Sequence, residues 1–151
     1  MGKIKIGVAP TRRNIFSLED AKKQKEKVLQ KVREYDCEIL DVEDICEGGL
    51  LCDPNDVDEI AEKFADVDGL FIPHCDFGSE GLVSRLAAKL KKPVLLWGPA
   101  DDYPLEDGTL TRYTQCGIFA TGKVLQRFNV PYTYIVNSTV DSAQFTNGFE
   151  R

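Results

Sequence analysis

The sequence predicts an α/β domain with an open, doubly wound parallel sheet of five strands and helices on both faces. Three observations carry this prediction. Short apolar runs alternate along the chain with longer amphipathic segments, in the order strand, helix, strand, helix. Such alternation is typical of right-handed crossovers between parallel strands. Two of the runs are apolar throughout, as expected for strands that helices cover on both sides. Five strands suit the flavodoxin-like order 2-1-3-4-5.

Five short runs of alternating or continuously apolar residues predict five strands. Most of them are bounded by a proline or a glycine, residues that often end or precede a strand. The first run alternates lysine with apolar residues and stops at Pro10. The second is short and follows the first helix. The third and fourth are the apolar runs, which stop at Pro73 and at Gly98. The fifth follows Pro131. The predicted ranges are 3–9, 37–42, 69–72, 94–97 and 132–136.

Four helices lie between the strands, and each begins at a residue suited to a helix start. Ser17 precedes the first helix, with a carboxylate three residues on, as in a capping box. Asp53 precedes Pro54, the favoured order for an N-cap and a first helical position. Ser79 and Thr114 begin the third and fourth helices. Apolar residues follow each start at helical spacing, which predicts one buried face per helix.

One domain accounts for nearly the whole pattern, since 151 residues is a usual domain length. We predict a flavodoxin-like domain over residues 1–137. Residues 138–151 are expected to form a polar, irregular segment that leads to further domains. No window approaches the ~18–20 consecutive apolar residues of a membrane helix. The N-terminus also lacks the apolar stretch of a signal peptide, so we expect a cytoplasmic protein with no membrane partner.

Charge and cysteine content exclude several other classes. The formal net charge of −6 argues against nucleic acid as a partner, because nucleic-acid-binding proteins usually present a basic face. The five cysteines are odd in number and widely spaced, which predicts free thiols. His74 is the only histidine and no Cys-x-x-Cys pair occurs, so no metal site is expected on this chain.

Ligands of doubly wound sheets bind outside the carboxyl ends of the strands. That rule selects four loops: 10–16, 43–53, 73–78 and 98–113. The first loop has no glycine, so it cannot be a dinucleotide fingerprint. The run 117–124 has P-loop spacing but lacks the hydroxyl residue that would contact Mg²⁺, and it lies inside a helix pattern. We interpret it as a chance match.

Three groups of residues in or next to these loops have both a functional and a structural interpretation. Arg12 and Arg13 can grip a carboxylate, a phosphate or a neighbouring subunit's acidic groups, or they are a solvated pair. Gln115 offers a donor and an acceptor that suit a polyhydroxylated ligand, or it is an ordinary helix-start residue. The run from His74 to Asp76 has the residue types of a nucleophilic relay. Adjacent side chains on an extended segment point apart, however, so we expect a binding or packing role there.

Longer motifs resemble the N-terminal part of the L-fucose/L-arabinose isomerase family. The most specific is Arg-Tyr-Thr-Gln-Cys-Gly-Ile-Phe-Ala at 112–120. Further similar runs lie at 71–80, 93–99, 105–109 and 127–131. Together they span nearly the whole chain.

The resemblance implies an aldose–ketose isomerase in which a divalent metal, typically Mn²⁺, polarises the substrate and two carboxylates move the proton. The metal ligands and those carboxylates come from later domains, so no catalytic residue is expected here. Family members are multimers, which places the sugar substrate at a subunit interface of a homo-oligomer. The positions that match as contacts at the rim of that site are Arg12, Arg13, Asp76, Phe77 and Gln115. Two alternatives remain open: a non-catalytic module that binds a sugar or another small molecule, and a purely structural oligomerisation domain.

Overall fold

A computed structural model describes residues 2–151 and confirms the predicted fold class and strand order. All five strands are parallel, in the order β2-β1-β3-β4-β5. The strands are β1 Lys5–Val8, β2 Glu38–Leu40, β3 Gly69–Pro73, β4 Val94–Pro99 and β5 Tyr132–Ser138. The helices are α1 Leu18–Val32, α2 Val57–Lys63, α3 Glu80–Leu90, α4 Thr114–Arg127 and α5 Ala143–Phe149. Two short 3₁₀ turns lie at Glu47–Gly49 and Pro54–Asp56.

Helices cover both faces of the sheet, as the apolar strands predict. On one face α2, α3 and α4 bury an apolar cluster that includes Ile60, Leu86 and Leu125. On the other face α1 and α5 bury a second cluster around Phe71 and Trp97. Strands β3 and β4 lie between the two clusters, which is why their sequences are apolar on both sides.

The predicted helix starts are confirmed for α1 and for the 3₁₀ turn before α2. The Ser17 side chain accepts a hydrogen bond from the amide of Asp20, and the Asp53 carboxylate accepts one from the amide of Asn55. At α4 the prediction is wrong in detail, because Thr114 is the first helical residue rather than the cap. A carboxylate from the preceding loop, Asp101, accepts from the Thr114 amide at 3.1 Å.

The chain is not irregular after residue 137, and that prediction is wrong. Strand β5 continues to Ser138, and the fifth helix, α5, follows it with Ser142 as its N-cap. Phe145 on this helix is fully buried and packs edge-on against Phe71 and Trp97. A seven-residue helix is too short for a clear periodicity, which is why polar composition concealed it.

In residues 2–151 no helix is both long and apolar enough to cross a membrane.

Candidate functional site

Three loops meet at the carboxyl edge of the sheet and form the candidate site. They are the β1 loop, residues 9–17; the β3 loop, residues 74–79; and the long loop, residues 100–113. Thr11 joins the first two, since its hydroxyl accepts from the Ser79 amide at 3.1 Å. The same hydroxyl donates to the carbonyl of Leu51, in the loop after β2, at 2.9 Å. The Ser79 hydroxyl in turn donates to the carbonyl of Arg12 at 2.7 Å. The β1 and β3 loops are therefore one hydrogen-bonded unit.

Arg13 lies at the centre of a cluster that spans this unit. Its guanidinium carbon lies 4.3 Å from the centre of the Phe77 ring, in cation–π geometry. Its Nε donates to the carbonyl of Gly78 at 3.0 Å, and an Nη atom forms an ion pair with Glu80. The side chains of Arg13 and Glu80 are each 32% exposed, so the cluster remains open to a ligand. We call Arg13, Phe77 and Glu80 the rim cluster.

Asp76 lies beneath the rim cluster and is only 1% exposed. Its Oδ1 accepts from the amides of Arg13 and Gly78, both at 2.8 Å, and so ties the two loops together. Its Oδ2 is buried with no hydrogen-bond partner in the structure. Burial raises the pKa of this carboxyl to about 6, although both amides and the two neighbouring arginines act in the opposite direction. Asp76 therefore acts as a positioning residue for the rim cluster.

His74 and Cys75 do not form a nucleophilic relay with Asp76. The His74 ring is fully buried, and its Nδ1 lies 2.9 Å from the carbonyl of Phe77, which fixes that nitrogen as the donor. Burial lowers the pKa of His74 to about 4 and raises the pKa of the Cys75 thiol, so both groups stay neutral. A thiol held neutral in this way is not a nucleophile. His74 packs and supports the loop, which was one of the two roles expected for it.

Gln115 lies apart from the rim cluster. Its Oε1 accepts from the Asn137 amide at 3.2 Å, and its Nε2 donates to the Thr114 hydroxyl at 3.3 Å. Gly117, two positions further along α4, abuts the β3 loop so closely that a Cβ there would overlap the Phe77 carbonyl. Residues two apart on a helix point about 200° apart, so Gln115 faces β5 while Gly117 faces the rim cluster.

The two neighbouring arginines also separate. Arg12 donates its amide to the carbonyl of Leu51, and its side chain lines a groove with Cys52, Asp53 and Asp56. Arg13 instead contacts the β3 loop. Arg12 therefore lines the neighbouring groove, whereas Arg13 belongs to the rim cluster. Of the five predicted rim residues, the structure brings Arg13, Asp76 and Phe77 together and places Arg12 and Gln115 on either side.

Sequence reasoning missed several residues that build the site. Arg112 is 3% exposed and fixes the long loop, since it forms ion pairs with Asp20 of α1 and with Asp102. Asp101 holds the start of α4, and Glu80 completes the rim cluster. These pairs join residues distant in the chain, so no local pattern reveals them. The motifs offered one signal, since Arg112 and Gly117 lie in the motif at 112–120 and Glu80 in the run at 71–80, whereas Asp101 lies in none of them.

The described residues do not supply a site for Mn²⁺. In residues 2–151 no group of three or more His, Cys, Asp or Glu side chains is arranged to hold a metal ion. Asp76 points one oxygen at two backbone amides, and the His74 ring is enclosed by protein. The carboxyl edge of this domain therefore offers hydrogen-bond donors and an aromatic face.

These features define a doubly wound α/β domain with a candidate ligand site at its carboxyl edge. The chain belongs to the fucose/sulfoquinovose isomerase family, because the model of that family's N-terminal domain matches residues 7–151. This match confirms the family and the domain that the sequence motifs indicate.

Two further comparisons add nothing to function. No curated protein matches the chain. One similar solved structure is a sugar ABC transporter from Yersinia enterocolitica subsp. enterocolitica 8081, with 13% identity and a TM-score of 0.37. The match covers 92% of this chain and 49% of that protein, so the chain spans about half of its length.

Proposed function

We propose that this domain is the N-terminal substrate-rim and assembly domain of an aldose–ketose sugar isomerase, an intramolecular oxidoreductase. The family match over residues 7–151 is the observation that carries the proposal. The rim cluster supports the substrate part of it, because Arg13 and Phe77 lie where doubly wound sheets bind their ligands.

The rim cluster has the chemistry to hold a sugar. A guanidinium carries five N–H donors, of which Gly78 and Glu80 engage only part. The remaining donors of Arg13 can bind ring or chain hydroxyls. The Phe77 ring offers an apolar face for the C–H groups of a sugar, and stacking against Arg13 holds the two groups in a fixed relation. The cluster would orient the substrate without touching the proton that moves.

The other predicted contact residues have supporting roles in this proposal. Gln115 has one amide hydrogen and one oxygen lone pair not used by its two hydrogen bonds, so it can still meet a hydroxyl. Arg12 lines the neighbouring groove and can meet an acidic group of an adjacent subunit. Asp76 contributes by holding the backbone of Arg13 and Gly78 in place.

The chemical step belongs, in this proposal, to domains that follow this one in the full-length enzyme. Those domains would supply the ligands for Mn²⁺ and the carboxylates that transfer the proton. Each rim would close the active site of a neighbouring subunit, which makes a cytoplasmic homo-oligomer the working form.

The test compares two arginine variants in the polypeptide that carries this domain together with its catalytic domains. Arg13→Ala removes the guanidinium from the rim cluster, whereas Arg127→Ala removes an exposed guanidinium at the far end of α4. We expect Arg13→Ala to lower kcat/KM for the aldose by about tenfold to a hundredfold, mostly through KM, and the control to leave it unchanged. Equal values for the two variants would remove Arg13 from the substrate site.

A second measurement concerns the 151-residue chain alone. With Mn²⁺ and a panel of aldoses it should produce no ketose above background, since the catalytic carboxylates are proposed to lie in other domains. Steady turnover by this chain would refute that division of labour.

Gln115→Ala distinguishes a substrate contact from a structural amide. As a substrate contact, its loss should lower kcat/KM by about tenfold. The hydrogen bond to the Asn137 amide adds a cost in stability of about 1 kcal/mol. A lower melting temperature with unchanged kcat/KM would make Gln115 purely structural.

The alternative function is a sugar-binding module without chemistry. It is favoured by one observation: the rim cluster presents a guanidinium and an aromatic face to a ligand, and residues 2–151 hold no group of three or more His, Cys, Asp or Glu side chains arranged around a metal position. This alternative predicts sugar binding by the isolated chain that Arg13→Ala abolishes, which titration calorimetry measures, together with no isomerase activity in the longer polypeptide.

A further inference from the structure

The two outer strands of the sheet differ in how their edges are protected. Strand β2 has three residues, carries Glu38, and lies between Asp36 and Asp41. Strand β5 has seven residues, and the run 128–140 around it contains no charged residue in a chain that is 29% charged. Proteins usually protect exposed edges with short strands and charged side chains. The β2 edge follows that rule and the β5 edge does not.

Aromatic side chains line the unprotected edge. Phe119 of α4 is 59% exposed, and its ring meets Tyr134 edge-on with centroids 6.2 Å apart. Tyr134 is 44% exposed and stacks on Tyr132 at 6.5 Å. Aromatic residues of this kind are enriched where protein surfaces meet.

Some backbone amides and carbonyls of β5 face β4, and the others point outward from the edge of the sheet. Val94 of β4 donates to the carbonyl of Pro131 at 3.1 Å, so alternate residues from 131 face β4. The backbone groups of Tyr132 and Tyr134 therefore point outward. Beyond them the Val136 carbonyl accepts from the side chain of Gln144 at 2.7 Å.

At the other end of β5, an outward-facing backbone group is also hydrogen-bonded within the chain. The amide of Val130 donates to the carbonyl of Leu125 at 3.1 Å. Between these two engaged groups lie the outward-facing backbone groups of Tyr132 and Tyr134, which have no recorded partner among residues 2–151.

We propose that two copies of this chain associate through their β5 edges, paired antiparallel about a two-fold axis at Thr133. In this register Tyr132 of each copy exchanges both backbone hydrogen bonds with Tyr134 of the other. A register centred on Tyr134 would need the Val136 carbonyl, and one centred on Tyr132 would need the Val130 amide, and both groups are already engaged. The pairing at Thr133 alone uses free groups.

Charge makes a second copy the fitting occupant. Each copy carries a formal charge of −6, so two copies repel over most of their surfaces. The uncharged run 128–140 is the longest such run in the sequence and lets two copies approach without opposing charges. A strand paired with its own copy across a two-fold axis is also self-complementary, and cross-strand aromatic pairs stabilise it.

The contact is small, since it consists of one strand edge and a few aromatic rings. Interfaces of that size are weak, so we expect a dissociation constant of about 1–100 μM. This inference does not depend on the proposed sugar site, because the rim cluster and the β5 edge share no residue.

Sedimentation velocity over about 1–300 μM protein tests the association. The wild-type chain should shift from monomer to dimer across this range. Tyr134→Lys adds a charge at the centre of the edge and should raise the dissociation constant at least tenfold, on the rule that ~1.4 kcal/mol is a factor of ten. Tyr103→Lys is the matched control, because Tyr103 is 95% exposed in the long loop, and it should leave the dimer unchanged.

Cysteine cross-linking tests the register, in a Cys116→Ser background that removes the exposed native thiol. Thr133→Cys places two thiols directly opposite each other and should form a disulfide-linked dimer under mild oxidation. Val136→Cys, on the same strand, places them about 20 Å apart and should not, at ~3.4 Å per residue.

A chain that stays monomeric throughout the range overturns the proposal, as does a dimer that Tyr134→Lys leaves intact. Efficient cross-linking through Val136→Cys in place of Thr133→Cys overturns the register.

Discussion

Asp76→Asn should change how the stability of the protein depends on pH. In the folded state Asp76 is buried with one unpartnered oxygen, and burial raises its pKa from 3.8 to about 6. The folded protein therefore holds a proton there that the unfolded chain has released. Because the folded state binds more protons between about pH 4 and pH 6, the free energy of unfolding falls as pH rises through that window.

The size of the effect follows from the two pKa values. At ~1.4 kcal/mol per pH unit, ionising the buried group costs the folded state about 3 kcal/mol in total. About 2 kcal/mol of this falls between pH 4 and pH 7, because titration has begun by pH 4. Asparagine keeps an oxygen for the amides of Arg13 and Gly78 and removes the ionisation. The free energy of unfolding of the variant, relative to wild type, should therefore rise by about 2 kcal/mol over this range.

Urea denaturation at several pH values measures the difference directly. Asp66→Asn, at an exposed position, serves as the control and should differ from wild type by less than about 0.5 kcal/mol throughout. A constant difference between Asp76→Asn and wild type would refute the reasoning, since it would mean that Asp76 titrates in the folded protein as it does in the unfolded chain.

His74 contributes with the opposite sign in nearly the same window. Burial lowers its pKa from 6.5 to about 4, so the unfolded chain binds more protons between about pH 4 and pH 6.5. Its contribution to stability is present above that window and is lost as pH falls through it. The effects of the two groups on the free energy of unfolding therefore offset each other in wild type. In His74→Gln, urea denaturation should show a free energy of unfolding that falls as pH rises from about 4 to about 6, because only the effect of Asp76 remains.

Three other predictions concern residues that surround the candidate site. Gly117→Ala forces a Cβ into the Phe77 carbonyl, so it should lower the free energy of unfolding by about 1–3 kcal/mol, measured by urea denaturation. Arg112→Met removes a buried cation from its two carboxylates and should increase the rate of proteolytic cleavage in the long loop, followed by mass spectrometry. With a thiol reagent at neutral pH, Cys116 should react within seconds to minutes, whereas Cys75 should react only on unfolding, because the first is exposed and the second fully buried.

The fold was predictable because its signals are local. Apolar strands alternate with helices long enough to show their period, and Pro10 and Asp53 mark boundaries that the structure respects within a few residues. Helix α5 was not predictable in this way. Its stability comes from Phe145 and Phe149, which pack on Phe71 of a distant strand. Two aromatic residues in a polar segment are not enough to predict a helix.

The candidate site was predictable only in part, for a related physical reason. The sheet rule and the family motifs select the β1 and β3 loops, and the predicted residues Arg13 and Phe77 contact each other there. Which side chains meet within those loops depends on tertiary packing. Glu80 pairs with Arg13 across the two loops, and Asp76 points inward at backbone amides rather than outward at a ligand. A sequence pattern places a residue on a loop but does not determine the direction of its side chain.

Helix α4 connects the rim cluster and the β5 edge mechanically. Gly117 places one side of the helix against the backbone of Phe77, and Phe119 places the other side against Tyr134. Both contacts lie within one turn of a 14-residue helix, so the two surfaces cannot move independently without breaking helix hydrogen bonds. Two copies joined at β5 would therefore hold their rim clusters at a fixed separation and orientation. An isomerase in which each rim must meet a neighbouring active site requires such a fixed relation, which a flexible connection between copies would not provide.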